Sequence, residues 1–261
     1  MLTDPAKELV DTLRLLTAAK GVSFSQRLKD KANVEPWSKG FFQVVFELLD
    51  RMDFLIAEVK NLPFDDDLRE DALQSIFEIK NVFIGEHVLQ YSCDQISQTV
   101  SGSNLTVLKM LSPQIRERVS YPVLTDEEVQ SVIDDLNQLL GWLYDQQSEE
   151  HEFLRQAMIE GLEAFLFRLE RLAWFGRGFT VDALKDVLLA YMALEGAVSL
   201  GGDGAELQKA ILAKCAASIR RALKAFDIVK ENSDRADWAL KAYGAVSAVA
   251  DGSATISGLL S

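Results

Sequence analysis

All five prolines of this 261-residue chain fall at or before Pro122. Residues 123–261 therefore lack the residue that breaks a helix by removing a donor and clashing with the preceding turn. Apolar residues recur at three- and four-residue steps nearly throughout, and no stretch alternates with period two or closes on an Asn-Gly hairpin turn. Together these features predict an all-α fold, an irregular bundle of about eight to ten helices without a β-sheet.

Helix ends can be read from local chemistry. Asp4-Pro5 supplies an N-cap and a proline at the first helical position, and Gly21 marks the stop. Ser23 or Ser25 caps a short helix through Lys31. Pro36 opens a long helix to Asn61, whose stripe of Phe42, Val45, Phe46, Leu49, Met52, Leu55 and Val59, widened by Phe41, Val44, Leu48 and Phe54, predicts burial on most sides. Asp65 to Asp67 start the next helix, which is expected to pass through Gly85 into residues 86–100. Two short helices are predicted around Pro113. Thr125 and Glu128 form a capping box for a helix to about Gln146. Ser148, Thr180, Asp203 and Ser233 or Asp234 are the expected caps of later helices. Tyr121-Pro122 is the expected boundary between an N-terminal half (residues 1–121) and a C-terminal half (residues 122–261), which could equally be one continuous domain.

Composition narrows the function classes. Hydrophobic residues make up 48% of the chain, enough for a substantial core, and the formal net charge is −13. That charge repels polyphosphate and argues against broad nucleic-acid binding. The N-terminus lacks a basic, then apolar leader, and no run of about 18 apolar residues exists, so a cytoplasmic protein is expected. Residues 242–261 carry a single charge, Asp251, but are rich in Ala, Gly and Ser. Cys93 and Cys215 read as reduced, buried thiols.

Catalytic and metal constellations are scarce. The two histidines, His87 and His151, are preceded three residues earlier by Ile84 and Ser148, so no Glu-x-x-His metal pair forms. Neither follows an arginine at the spacing of a HEPN-type ribonuclease. Two lone cysteines do not make a zinc site. Clusters at Asp65–Asp67, Asp126–Glu128 and Glu149–Glu152 lie at predicted helix starts, where carboxylates meet free amide hydrogens. No catalytic residue, metal ligand or cofactor is assigned.

Two stretches offer binding chemistry. At about 100° per residue, Lys209, Lys214, Arg220, Arg221 and Lys224 share one side of a predicted helix, roughly opposite Ile211, Cys215, Ile219, Ala222, Leu223 and Phe226. This basic amphipathic helix either answers acidic surfaces of its own protein or a twin subunit, or binds an anionic partner. In residues 168–179, Trp174 and Phe175 are candidate partner anchors, or they pack a bundle end while Arg168 and Arg171 complement a helix C-terminus.

Gly201-Gly202-Asp203-Gly204, after the apolar Ala197-Val198-Ser199-Leu200, resembles the Gly-Gly-Asp-Gly-Thr loop of diacylglycerol kinases and NAD kinases. The resemblance covers about ten residues and implies a phosphate-binding turn after a strand. Here Ala205 stands at the threonine position, and the residues before the glycines continue a helical pattern. The residues themselves read as a helix stop at Gly201 and a capped start at Asp203 and Glu206.

The function expected from the sequence is a non-enzymatic helical interaction or regulatory protein that binds a protein partner and can self-associate. An alternative is a bacterial defence or toxin-type effector whose basic helix engages a membrane surface or an anionic ligand. A carboxylate enzyme using Mg²⁺ is a third.

Overall fold

The computed structural model describes residues 2–18, 20–84, 91–100, 102–146, 152–200 and 206–226. The all-α class holds. The helices are α1 (Pro5–Thr17), α2 (Phe24–Ala32), α3 (Lys39–Lys60), α4 (Asp66–Ile84), α5 (Cys93–Val100), α6 (Ser103–Arg118), α7 (Asp126–Asp145), α8 (Glu152–Leu169), α9 (Leu172–Phe175), α10 (Arg177–Asp182), α11 (Leu184–Leu200) and α12 (Glu206–Ala225). The only β-structure among the described residues is two two-residue strands, Leu2–Thr3 and Tyr121–Pro122, and a bridge between Ser23 and Ser92. No helix among the described residues is long and apolar enough to cross a membrane.

The chain forms two compact units. One comprises residues 2–120 with 171–176. In it α1 packs on α3, α5 and α6, α4 packs on α3 and α6, and α9 lies against α1 and α3. Its core holds Leu9, Leu13, Leu16, Phe24, Phe41, Leu48 and Met52, all essentially without solvent contact. The other unit holds residues 121–170 and 177–226 of the described chain. There α8 packs on α7 and α11, and α12 on α7 and α11, around Met158, Leu162, Phe165, Val187, Tyr191, Ile219 and Phe226. Gly161 permits the close approach of α8 to α11, because a Cβ there would lie 3.1 Å from Val187 Cγ2 and 3.2 Å from its backbone N.

Several helix ends follow the expected chemistry. Asp4 caps α1 by accepting from Lys7 N at 2.9 Å, Ser23 caps α2, and Thr125 with Glu128 forms the complete capping box of α7.

Other ends differ. The long helix starts at Lys39 under a Ser38 cap, because residues 35–38 form a turn closed by Ser38 N donating to Glu35 O at 3.1 Å. The expected run from α4 into α5 is interrupted at Ser92, which pairs with Ser23 instead of continuing a helix. Helix α6 passes through Pro113 as one element. The proline forfeits one backbone bond, but Leu105, Leu108, Leu111 and Ile115 bury one face on both sides of it. Thr180 lies buried inside α10 and does not cap α11. The expected caps Ser148, Asp203, Ser233 and Asp234 lie outside the described residues, as does residue range 242–261.

Candidate functional site

The basic helix folds as its periodicity predicts. Ile211, Cys215, Ile219, Ala222, Leu223 and Phe226 are all buried, while Lys209, Lys214, Arg221 and Lys224 are exposed and Arg220 is half-buried. Two of its cations are engaged by α7 within their own unit. Arg221 Nε lies 2.7 Å from Asp135 Oδ2 on α7, and Lys214 Nζ sits 4.9 Å from the centroid of the Trp142 ring. Lys209 and Arg220 also have interaction partners. The polar side of α12 thus answers acidic and aromatic groups of α7, a geometry that favours intramolecular complementation over an open anion site.

Trp174 and Phe175 are 3% and 1% exposed. Neither presents a surface to a partner; both fill the first unit. The segment carrying them supplies donors to the end of α2. Trp174 Nε1 donates to Lys31 O at 3.2 Å, and Arg171 donates to Ala32 O at 2.8 Å and to Asn33 O at 3.0 Å. These are carbonyls that a helix end leaves without intrahelical partners. In return, Arg51 Nη1 on α3 donates to Trp174 O at 2.6 Å and to Thr12 Oγ1 at 3.0 Å, while Thr12 Oγ1 donates to Ala173 O at 2.6 Å. Gly176, at φ 75°, closes the segment against this network; a Cβ would fall 3.0 Å from Glu8 Oε2 and 3.2 Å from Arg51 Nε. Arg168 donates to Phe179 O at 2.8 Å.

The surface that the sequence did not single out lies at the start of α3. Trp37 is 65% exposed and Phe46 59% exposed, with Phe42 half-buried between them. Their rings form a continuous row: Trp37 meets Phe42 edge-on at 6.0 Å between centroids, and Phe42 stacks on Phe46 at 6.3 Å. Phe41 anchors the row from the core, 5.6 Å from Phe42 and 6.5 Å from Trp37. Trp37 adopts φ 67°. In the turn Glu35-Pro36-Trp37-Ser38, proline takes the second position and Trp37 the third, where a positive φ ordinarily selects glycine. A left-handed conformation costs a bulky residue about 1–2 kcal/mol. The chain therefore holds a large aromatic side chain, strained and outward, beside an exposed phenylalanine.

Ion pairs flank this face. Lys29 and Glu35 meet at 2.8 Å, which holds the Lys29 ammonium above its ordinary range through the Glu35 carboxylate, and Lys80 on α4 pairs with Asp53 on α3. Lys39 and Asp50, exposed on the same helix, have no ion-pair partner among the described residues.

Both cysteines are free and buried. Burial raises the Cys93 thiol and pushes Cys215 up to about 12. The fully buried Tyr191 hydroxyl is likewise raised, by burial first and by Glu195 second. The thiolate is the attacking and metal-binding form, so burial makes both sulfurs less reactive. No group of His, Cys, Asp and Glu suited to a metal ion occurs among the described residues. His87, His151 and the Gly-Gly-Asp-Gly stretch lie outside them. What precedes that stretch is helix α11, so a helix stands where a phosphate loop of the kinase type requires a strand.

No family model, no curated protein and no solved structure matches the chain.

Proposed function

We propose that this chain is a helical interaction protein that binds a protein partner through the aromatic row of α3. The observation that carries this reading is Trp37, exposed in a left-handed conformation and in ring contact with Phe42, which in turn stacks on the exposed Phe46. Backbone strain on a bulky exposed residue persists only where something compensates for it, and such positions concentrate at binding sites. Trp and Phe are also rigid for their area, so they lose little conformational freedom on docking, and Trp is enriched among residues that dominate interface energies.

The test compares proteins retained from the native cell by wild type, Phe46→Glu, Trp37→Gly and Lys209→Glu/Lys224→Glu. All three variants should keep the wild-type helical circular dichroism, because every changed side chain is exposed. Glycine also suits the turn at position 37. Specific partners should be lost from the first two variants and kept by the third. Retention by Phe46→Glu and Trp37→Gly with loss from the α12 variant would sink this reading and move the binding face to α12.

A further inference from the structure

The solvent ridge of α3 has an order of charges that identifies its partner. Lys39, Gln43, Phe46, Asp50, Asp53 and Ala57 recur at three- and four-residue steps and are all exposed, so they form one line along the helix. A cation lies at the start, the aromatic centre carries no charge, and two carboxylates follow. Asp53 is matched by Lys80. Lys39 and Asp50 are the charges left over, and Lys39 stands at the first position of α3, where the helix dipole favours an anion. Nothing in its own turn rewards a lysine there; the first turn of α3 contains no acidic residue.

We infer that the occupant of this face is a second copy of the same chain, laid antiparallel across α3 about a two-fold axis near residues 44–45, so that Lys39 of each copy meets Asp50 of the other around the aromatic centre. The inference rests on the proposed function and names its partner. The register follows from the positions of the charges. In an antiparallel pair centred there, position 39 falls opposite 50 and position 46 opposite 43, which places Phe46 against the Phe42–Gln43 turn of the second copy. An isologous contact of this kind is self-complementary by construction. The chain's charge of −13 opposes association at long range. At physiological ionic strength the Debye length of about 8 Å confines that repulsion to near neighbours, and in this register each Lys39 faces an Asp50 of opposite sign.

The test is sedimentation equilibrium of the full chain with charge reversal. Wild type should dimerise, and Lys39→Glu and Asp50→Lys should each raise the dimer Kd by about tenfold or more, since each converts both attractive pairs into repulsive ones. The double variant Lys39→Glu/Asp50→Lys should regain the wild-type dimer. An equimolar mixture of the two single variants should also pair. The introduced glutamate of one copy then meets the introduced lysine of the other, while the unaltered Asp50 of the first meets the unaltered Lys39 of the second. A merely local role for either residue predicts neither recovery. A wild type that stays monomeric at high micromolar concentration overturns the inference, as does a dimer that the double variant and the mixture fail to restore. If self-association fails while Phe46→Glu still abolishes partner retention, the interaction function stands with another partner; if both fail, both readings fall together.

Discussion

Cys215 shows how burial alone decides what a reactive side chain does. Its thiol, inside the second unit, is pushed from an ordinary 9.0 up to about 12 by desolvation of the thiolate. The unfolded chain releases that proton near pH 9 and the folded chain retains it, so the folded state binds the extra proton in between. Stability from this group is therefore full below pH 9 and falls as pH rises through that window, by up to about 1.4 kcal/mol per pH unit. Urea unfolding of wild type at pH 8 and pH 10 should lose about 1 kcal/mol more than Cys215→Ala loses over the same interval; equal losses would mean that the thiol ionises in place. The burial of this cysteine is legible in the sequence because it shares a helical phase with Ile211, Ile219 and Phe226. Phe46 reads as a core residue for the opposite reason. Helix α3 carries apolar residues around most of its circumference, so its phase is set by which side α1, α4 and α9 cover, and that is a tertiary fact.

Elements are most legible where their ends are determined by neighbours in sequence. A cap needs only a side-chain oxygen two or three residues from free amide hydrogens, which is why Asp4, Ser23 and the Thr125–Glu128 box can be recognised. Asp4 also illustrates what such reading misses. Its other carboxylate oxygen accepts from Ser112 Oγ at 2.7 Å and from Arg116 Nη2 at 3.0 Å, tying the start of α1 to α6 more than a hundred residues away. Asp4→Ala removes the cap and takes away the acceptor of the buried Ser112 hydroxyl hydrogen, leaving Ser112 Oγ with only the bond it accepts from Arg116. It should cost about 2–3 kcal/mol in urea unfolding, after discounting Arg116 for its partial exposure. Asp4→Asn, which keeps a cap oxygen, should cost about half as much. At Pro113 and Thr180 packing overrides local preference. Helix α6 is carried across its proline by a buried face. Near Thr180, a Cβ at Gly178 would come within 2.9 Å of the Tyr121 ring, a contact that lies far away in sequence.

At the scale of the whole molecule, the proposed self-association would make thermal stability depend on concentration, because a partner that binds only the folded chain stabilises it by mass action. The melting temperature of wild type should rise with protein concentration, whereas Phe46→Glu should melt at one temperature throughout; parallel behaviour of the two would remove α3 from the contact. Long-range organisation is the least legible level, since periodicity describes faces and not their partners. Residues 171–176 are the clearest case: in sequence they lie between residues 170 and 177 of the second unit, yet they complete the first. During synthesis from the N-terminus, α1, α2 and α3 emerge long before the residues that cap α2 and engage Arg51. The first unit must therefore wait for the Trp174 carbonyl that Arg51 engages, and for the donors that reach the carbonyls of Lys31 and Ala32, until residue 176 has left the ribosome. A stop between residues 120 and 171 yields a chain whose N-terminal half is fully translated and still unfinished.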